Sequence, residues 1–334
     1  MKTPFREIPG SITAPKGFRA AGVFCDIKRL GTGKGSNKGK KRDLAVIASD
    51  KPATAAGMFT TNQVCAAPVK LCAERIRSGK AQAIVVNSGN ANACTGKQGF
   101  KDACAMSDLV AAKLKIVREA VLVGSTGRIG VTLPMPNVKR GIAGAVAALD
   151  HSPEHAAQVA EAIMTSDTRP KQIAVEFSLG GKRTLIGGVC KGAGMIQPGM
   201  SATGKRPPAL HATMLCFITT DAVIGSAALQ LSLEQAVAQS FNRITVDGDM
   251  STNDTVLILA NGLAGDATKA KDDFQRALNH VTLELAKMIV RDGEGASRFV
   301  TVHVNGAQSA SDADAAARAV ANSALVKTSW CGGD

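Results

Sequence analysis

Residues Lys191 to Ile224 read KGAGMIQPGMSATGKRPPALHATMLCFITTDAVI. A run rich in Gly, Pro and Ser extends to Ala212, and a nearly unbroken apolar run, Met214 to Ile224, follows Thr213. The apolar run is short and rich in Thr, Ile, Val and Phe, which predicts a buried strand rather than a helix. Thr213 stands at the mouth of that strand, where its own backbone is held while the loop before it can bend. A β-branched residue in such a place is ordinarily the first packing residue of a core strand. The position also suits self-cleavage: attack of the Thr213 hydroxyl on the carbonyl of Ala212 gives an ester, and water then releases a new chain beginning with Thr213. The freed α-amine, with a reference pKa of about 7.7 to 8, can serve as base for the hydroxyl of the same residue.

The segment resembles the cleavage region of the ornithine acetyltransferases, the ArgJ family, in its Lys-Gly-Ala-Gly-Met-Ile, its Ala-Thr-Met-Leu and its Thr-Asp-Ala. Similar runs occur in order along almost the whole chain: TAPKGFRAAGV from Thr13, DKPATAAGMFTTNQVCAAPV from Asp50, VVNSGNANACTG from Val85, GSTGRIGVTLPM from Gly124, SFNRITVDGDMSTNDTVLILANG from Ser240 and RDGEGASRFV from Arg291. The resemblance implies a fold of mixed α/β or α+β class with layered sheets and helices outside, ornithine acetyltransferase/DmpA-like and self-cleaving. It implies an N-terminal (α) chain, residues 1–212, and a C-terminal (β) chain, residues 213–334, intertwined in one body. The implied activity is that of an N-terminal-nucleophile acyltransferase of arginine biosynthesis, moving acetyl from N2-acetyl-L-ornithine to L-glutamate through an acetyl-threonine intermediate. Thr213 is then the nucleophile, Ala212 and Thr213 flank the cleaved bond, Thr126 and Gly127 form the oxyanion hole, and Thr168, Lys191, Thr213 and Glu294 bind substrate. No cofactor is implied, with acetyl-CoA an additional acetyl donor in some relatives. The family also suggests a heterotetramer of two α and two β chains.

Composition is consistent with that class. The chain has 334 residues, 45% hydrophobic, with 34 Gly and 12 Pro, enough for a sizeable core in a globular protein. Ten Phe, one Trp and no Tyr mean packing by aliphatic side chains and leave no stacking platform for nucleic acid. The formal charge of +13 favours anionic partners such as glutamate-like substrates. Part of the excess is local, in GTGKGSNKGKKR from Gly31 to Arg42, read as a solvated surface hairpin rather than a nucleic-acid patch. Eight cysteines without a CxxC pair predict free thiols in a reducing compartment rather than a disulfide framework. There is no secretory signal and no run of membrane length, so a cytoplasmic location is expected.

Along the chain, DLAVIAS from Asp43 and TAAGMFTTN after Pro52 predict two strands separated by a turn at Asp50 to Pro52. A helix at about Val69 to Ser78 precedes the strand AQAIVVNSG, which ends in a loop of Asn and Gly. Gly99 to Leu114 has helical spacing, and AVLVGSTG predicts a strand stopping at Gly124, with Thr126 and Gly127 on a tight turn beyond it. A glycine there lets an oxyanion approach a backbone N–H. Helices follow at about Val138 to Leu149 and Pro153 to Met164, the second with Ser152 as N-cap. Thr168 then falls at a helix terminus, the place of an ordinary capping residue. Two strands, about Gln172 to Phe177 and Arg183 to Val189, pair through Gly180-Gly181. Lys191, flanked by Gly192 and Gly194, can pair with a substrate carboxylate. Ser232 with Gln235 suggests a capping box for a helix reaching about Phe241. The loop bearing Asp247, Asp249 and Asp254 lacks the terminal Glu of a calcium loop, so a metal reading is set aside. A strand Thr255 to Ala260 and a helix of about Lys271 to Arg291 come next, then Glu294 in a turn. Val300, Val302 and Val304 share one face of an expected strand, and a helix of about Ser311 to Asn322 closes the series.

Two departures from the family pattern stand out. The link before Ala212 is lengthened, which makes Ala202-Thr203 a rival cleavage point; Thr213 is preferred because it alone joins the apolar strand. The chain stops at Asp334, where related sequences continue, so it reads as C-terminally truncated. Two further readings remain: an amidohydrolase or aminopeptidase of similar architecture, which passes the acyl group to water, and an uncleaved anion-binding protein.

Overall fold

The computed structural model describes residues 5–28, 41–203 and 214–333. Ala212, Thr213 and the basic run from Gly31 to Lys40 lie outside the described residues.

The described strands belong to one mixed ten-stranded sheet. They are β1 (Phe5–Glu7), β2 (Phe18–Val23), β3 (Leu44–Thr60), β4 (Lys80–Asn90), β5 (Val121–Arg128), β6 (Lys171–Leu179), β7 (Lys182–Lys191), β8 (Met200–Ser201), β9 (Leu215–Thr220) and β10 (Thr255–Ala260). The spatial order is β1-β6-β7-β9-β10-β3-β4-β5, with β2 and β8 both pairing with β3. The central strands β9 and β10 are buried at every position, as strands covered on both faces are. Period-2 alternation then divides them between two cores. Leu215, Phe217, Leu257 and Leu259 face one core; Cys216, Ile218, Val256 and Ile258 face the other.

Helices cover both faces. On one side lie α1 (Ala67–Arg75), α2 (Gly96–Leu114), α3 (Met135–Ala147) and α4 (Pro153–Ala162), whose buried residues join the first core. On the other lie α5 (Ser226–Gln239) and α6 (Lys271–Arg291). In α6 the buried positions Phe274, Leu278, Val281, Leu285 and Ile289 recur at three- and four-residue spacing, one stripe against the sheet. Two further helices, α7 (Ala310–Asn322) and α8 (Ala324–Gly332), follow, each capped by a serine side chain, Ser309 and Ser323. The mixed helix and strand class is therefore as expected, with the layering helix on sheet on helix.

β7, which precedes the Ala212-Thr213 bond, pairs antiparallel with β9, which follows it, and β10 pairs with β3. Segments from either side of that bond thus alternate across the middle of the sheet, and a chain cut there would still share one core.

Several local expectations are corrected. The turn at Asp50 to Pro52 does not form: β3 runs through it, and the register with β4 is interrupted between Ala48 and Ala53, so no ladder bond is asked of the proline. β5 continues past Gly124 and includes Thr126 and Gly127. Ser232 is not a cap; α5 begins at Ser226 and buries Leu229, Leu233 and Val237 along one stripe that extends the helix upstream. Residues 298–304 form no strand, and Phe299 and Val300 are 42% and 40% exposed. Thr203, at the rival cleavage point, is exposed just after β8. Among the described residues no helix is long and apolar enough to cross a membrane, and the eight cysteines are unpaired.

Candidate active site

A cavity of about 190 Å³ opens where β5, β7 and the loop before β10 end together. Its wall includes Thr126, Gly127, Lys191, Gly194, Asn253 and Glu294. Four of the residues singled out from sequence therefore share one small space although they lie up to 168 positions apart.

Gly127 is fixed by its surroundings. Its φ is +127°, and a Cβ there would lie 2.5 Å from the carbonyl carbon of Gly89 and 2.7 Å from the amide nitrogen of Asn90. The parallel ends of β4 and β5 are pressed together at this point, and Asn90 pairs with both Thr126 and Arg128, a bulge that turns the strand end. The asparagines at the end of β4 hold it in place. Asn87 Nδ2 donates to Asn90 O at 2.8 Å, Ser125 Oγ donates to Asn87 Oδ1 at 2.7 Å, and Asn90 Nδ2 donates to Val131 O at 3.0 Å. From the far side, Asn253 Nδ2 donates to Ala91 O at 2.7 Å and to Ser125 O at 2.8 Å. Asn253 is a site residue that sequence reasoning passed over; its only signal was its place in the polar run before β10.

Lys191 ends β7, opposite Leu215 of β9 in register, and is 2% exposed. Its ammonium lies 3.9 Å from Asp167 Oδ2. Burial lowers its pKa; Asp167 works against that loss, Lys171 adds to it, and Asp254 and Glu294 oppose it more weakly. Burial would raise the Asp167 carboxyl, but Lys191 and Lys171 outweigh it and hold it well below the usual carboxylate range. Neither Asp167 nor Lys171 was singled out from sequence.

The loop after Lys191 is shaped around an acid. Met195 has a left-handed φ of +54°, and its N–H and that of Ile196 donate to the two oxygens of Asp247 at 2.7 and 2.8 Å. Asp247, which invited a metal reading, is thus spent on backbone donors. Glu294 is tied to the same loop by its N–H, which donates to Ala193 O at 2.8 Å. Beside Thr213, Met214 N donates to Asp254, a fully buried carboxylate at the start of β10.

Thr168 is placed differently. It does not line the cavity, where Thr165 and Ser166 stand instead, and its hydroxyl and N–H both donate to Asp292. A larger groove of about 680 Å³ runs from Glu294 along residues 295–304 between α6 and α7. Lys191, Thr126 and Gly127 face the smaller cavity, so the chemistry is assigned there.

The bulged end of β5 at Thr126 and Gly127, a buried cation and an opposing carboxylate can bind a zwitterionic or doubly charged small molecule and stabilise an oxyanion. Comparisons with known proteins show what this chain is similar to. A model of the ArgJ family matches residues 20–334. The arginine biosynthesis bifunctional protein ArgJ of Symbiobacterium thermophilum is 51% identical over 332 residues, 98% of this chain and 78% of that protein. The glutamate N-acetyltransferase of Methanocaldococcus jannaschii is 48% identical over 331 residues, 98% of this chain and 76% of its own. Among solved structures, ornithine acetyltransferase of Mycobacterium tuberculosis, complexed with ornithine, aligns with a TM-score of 0.53 and 38% identity over 59% of this chain and 100% of the solved one.

Proposed function

Because this chain belongs to the ArgJ family, we propose that it transfers acetyl from N2-acetyl-L-ornithine to L-glutamate in arginine biosynthesis, through an ester on Thr213. It is an acyltransferase, and the observation that carries the reading is the convergence of Thr126, Gly127, Lys191 and Glu294 on one cavity beside the strand that Thr213 introduces.

Cleavage between Ala212 and Thr213 frees the α-amine of Thr213. That amine takes the hydroxyl proton as Oγ attacks the acetyl carbonyl of acetylornithine. The oxyanion that forms accepts hydrogen bonds at Thr126 and the Gly127 N–H, where developing charge meets donors already in place. Collapse breaks the amide C–N bond; the proton passes from the Thr213 amine to the departing ornithine nitrogen, and acetyl remains as an ester on Oγ. The α-amine of glutamate then attacks the ester, the C–O bond breaks, and Oγ regains its proton. Lys191 pairs with a substrate carboxylate and Glu294 with the amino end of ornithine, while Thr168, outside the cavity, acts on the site only through its bonds to Asp292. Acetyl-CoA is a second donor in the same reading, entering at the step that loads Thr213. The α and β chains assemble as a heterotetramer of two of each, in the cytoplasm.

Denaturing mass spectrometry tests the first step: two chains meeting at Ala212-Thr213 are expected. Acetylornithine plus glutamate should give acetylglutamate with ping-pong kinetics. Thr213→Ala should abolish both cleavage and transfer. A Thr213→Ala protein that still splits at that bond removes the nucleophile assignment, and release of free acetate at the same rate with and without glutamate favours a hydrolase instead.

A further inference from the structure

We infer that Asp167 is the positioning residue of Lys191, a counter-ion held at a distance so that the ammonium keeps its charge while its N–H donors stay available for a substrate carboxylate. The inference rests on the acetyl-transfer reading above and goes beyond it by naming what makes Lys191 usable.

The geometry separates the two things a counter-ion can do. The Asp167 side chain is fully buried, and its oxygens are hydrogen-bonded to other donors: Oδ1 accepts from Lys171 Nζ at 2.6 Å and from Gly192 N at 2.7 Å, and Oδ2 accepts from Thr165 N at 2.9 Å. Lys191 Nζ stands 3.9 Å from Oδ2, within reach of the field but beyond hydrogen-bonding distance. Lys171, itself 1% exposed, is clamped between Asp167 and Asp292, so it cannot swing away and leave Asp167 free to close on Lys191. Asp292 in turn receives the N–H and hydroxyl of Thr168. Two buried lysines and two buried aspartates thus balance in charge and join four pieces of chain: the Thr165–Thr168 turn, the start of β6, the end of β7 and the end of α6.

A buried ammonium without a nearby anion gives up its proton. The charged groups around Lys191 are Asp167 on the turn, Lys171 at the start of β6, Asp254 before β10 and Glu294 after α6. Of the anions Asp167 has the largest effect on it, while Lys171 repels it. The two neighbours therefore act on Lys191 with opposite sign, so their substitutions should shift it in opposite directions.

The test uses the self-cleaved enzyme with N2-acetylornithine and with its carboxamide analogue, each assayed from pH 6 to 10. In the parent protein the carboxylate substrate should be preferred, with a basic limb in kcat/KM that the carboxamide lacks. Asp167→Asn should lower the preference about tenfold or more and move the limb down by about one pH unit, with the loss in KM rather than kcat. Lys171→Met should move the limb up. A preference and limb unchanged in Asp167→Asn overturn the inference. Should Asp167→Asn give no folded protein, Lys171→Met decides: an upward limb supports the inference, and a limb that stays or falls overturns it. A parent protein that cleaves but transfers no acetyl refutes the functional reading itself, a result distinct from either.

Discussion

Glu294 lies so close to Gly194 that a Cβ on residue 194 would meet its carboxyl carbon at 2.7 Å and both carboxylate oxygens within 2.8 Å. The glycine is there because the acid is there: the loop after β7 leaves room for one carboxylate at the cavity wall, and only a residue without a side chain provides it.

Gly194→Ala should therefore displace Glu294 while leaving the fold in place, since residue 194 sits in a partly exposed loop. We expect KM for acetylornithine to rise by about tenfold, the scale of one lost charged contact, with the melting temperature within a few degrees of the parent. Steady-state kinetics and a thermal melt on the same sample check it. An unchanged KM would separate Glu294 from substrate binding.

Gly127→Ala should behave differently. The new Cβ collides with the backbone of Gly89 and Asn90, which cannot yield as a flexible side chain would, and the φ of +127° is poorly tolerated by any side chain. A loss of about 2–4 kcal/mol is expected from strain and overpacking together. Urea unfolding followed by circular dichroism measures it, and transfer should fall even in whatever fraction remains folded.

Asn253→Ala removes both donors from the carbonyls of Ala91 and Ser125. Leaving such groups buried and unpaired costs about 1–3 kcal/mol. The end of β5, proposed to hold the oxyanion, is then braced from one side only, so kcat should drop more than KM rises. Asn253→Asp, which keeps the shape but loses the donors, should resemble the alanine variant.

Acid should expose the Asp167–Lys171–Asp292 lock. Asp292 is lowered like Asp167: burial would raise it, but hydrogen bonds from Lys171 and Thr168 prevail. A carboxylate whose folded pKa lies below its unfolded value of about 3.9 contributes stability in full above that value and loses it as pH falls toward the folded pKa. Stability should hold steady from pH 7 to about 5 and decline below about 4. The stability gap between the parent and Asp292→Asn should be widest at pH 7 and narrow below pH 4. A gap independent of pH would show that Asp292 is not held ionised by this network.

Much of the architecture is legible in the residues. Thr255–Ala260 and Lys271–Arg291 are read correctly because each signal is local: an apolar run of five after a β-branched threonine, and a long stripe with two aspartates in its first turn. The reading fails where a neighbour decides. Pro52 is a turn residue by itself, yet β3 passes through it because β4 releases its register there. Ser232 and Gln235 have the spacing of a cap, yet the packing of α5 on the sheet carries the helix past them. The alternation of Val300, Val302 and Val304 describes a strand, but a strand also needs an edge to pair with, and none meets it among the described residues.

The site divides along the same line. Sequence alone singled out the side chains proposed to bear the chemistry, Thr213, Thr126, Gly127, Lys191 and Glu294, because reactivity belongs to residue type and the family motifs carry those types in order. Tertiary structure alone decided what surrounds them: Asp167 held 3.9 Å from Lys191, Asn253 bracing the end of β5 and Gly194 yielding space to Glu294. These are contacts between segments remote in the chain. Electrostatic and steric forces act through space, over a few ångströms, and a linear order of residues does not contain those distances until the sheet has brought the segments together.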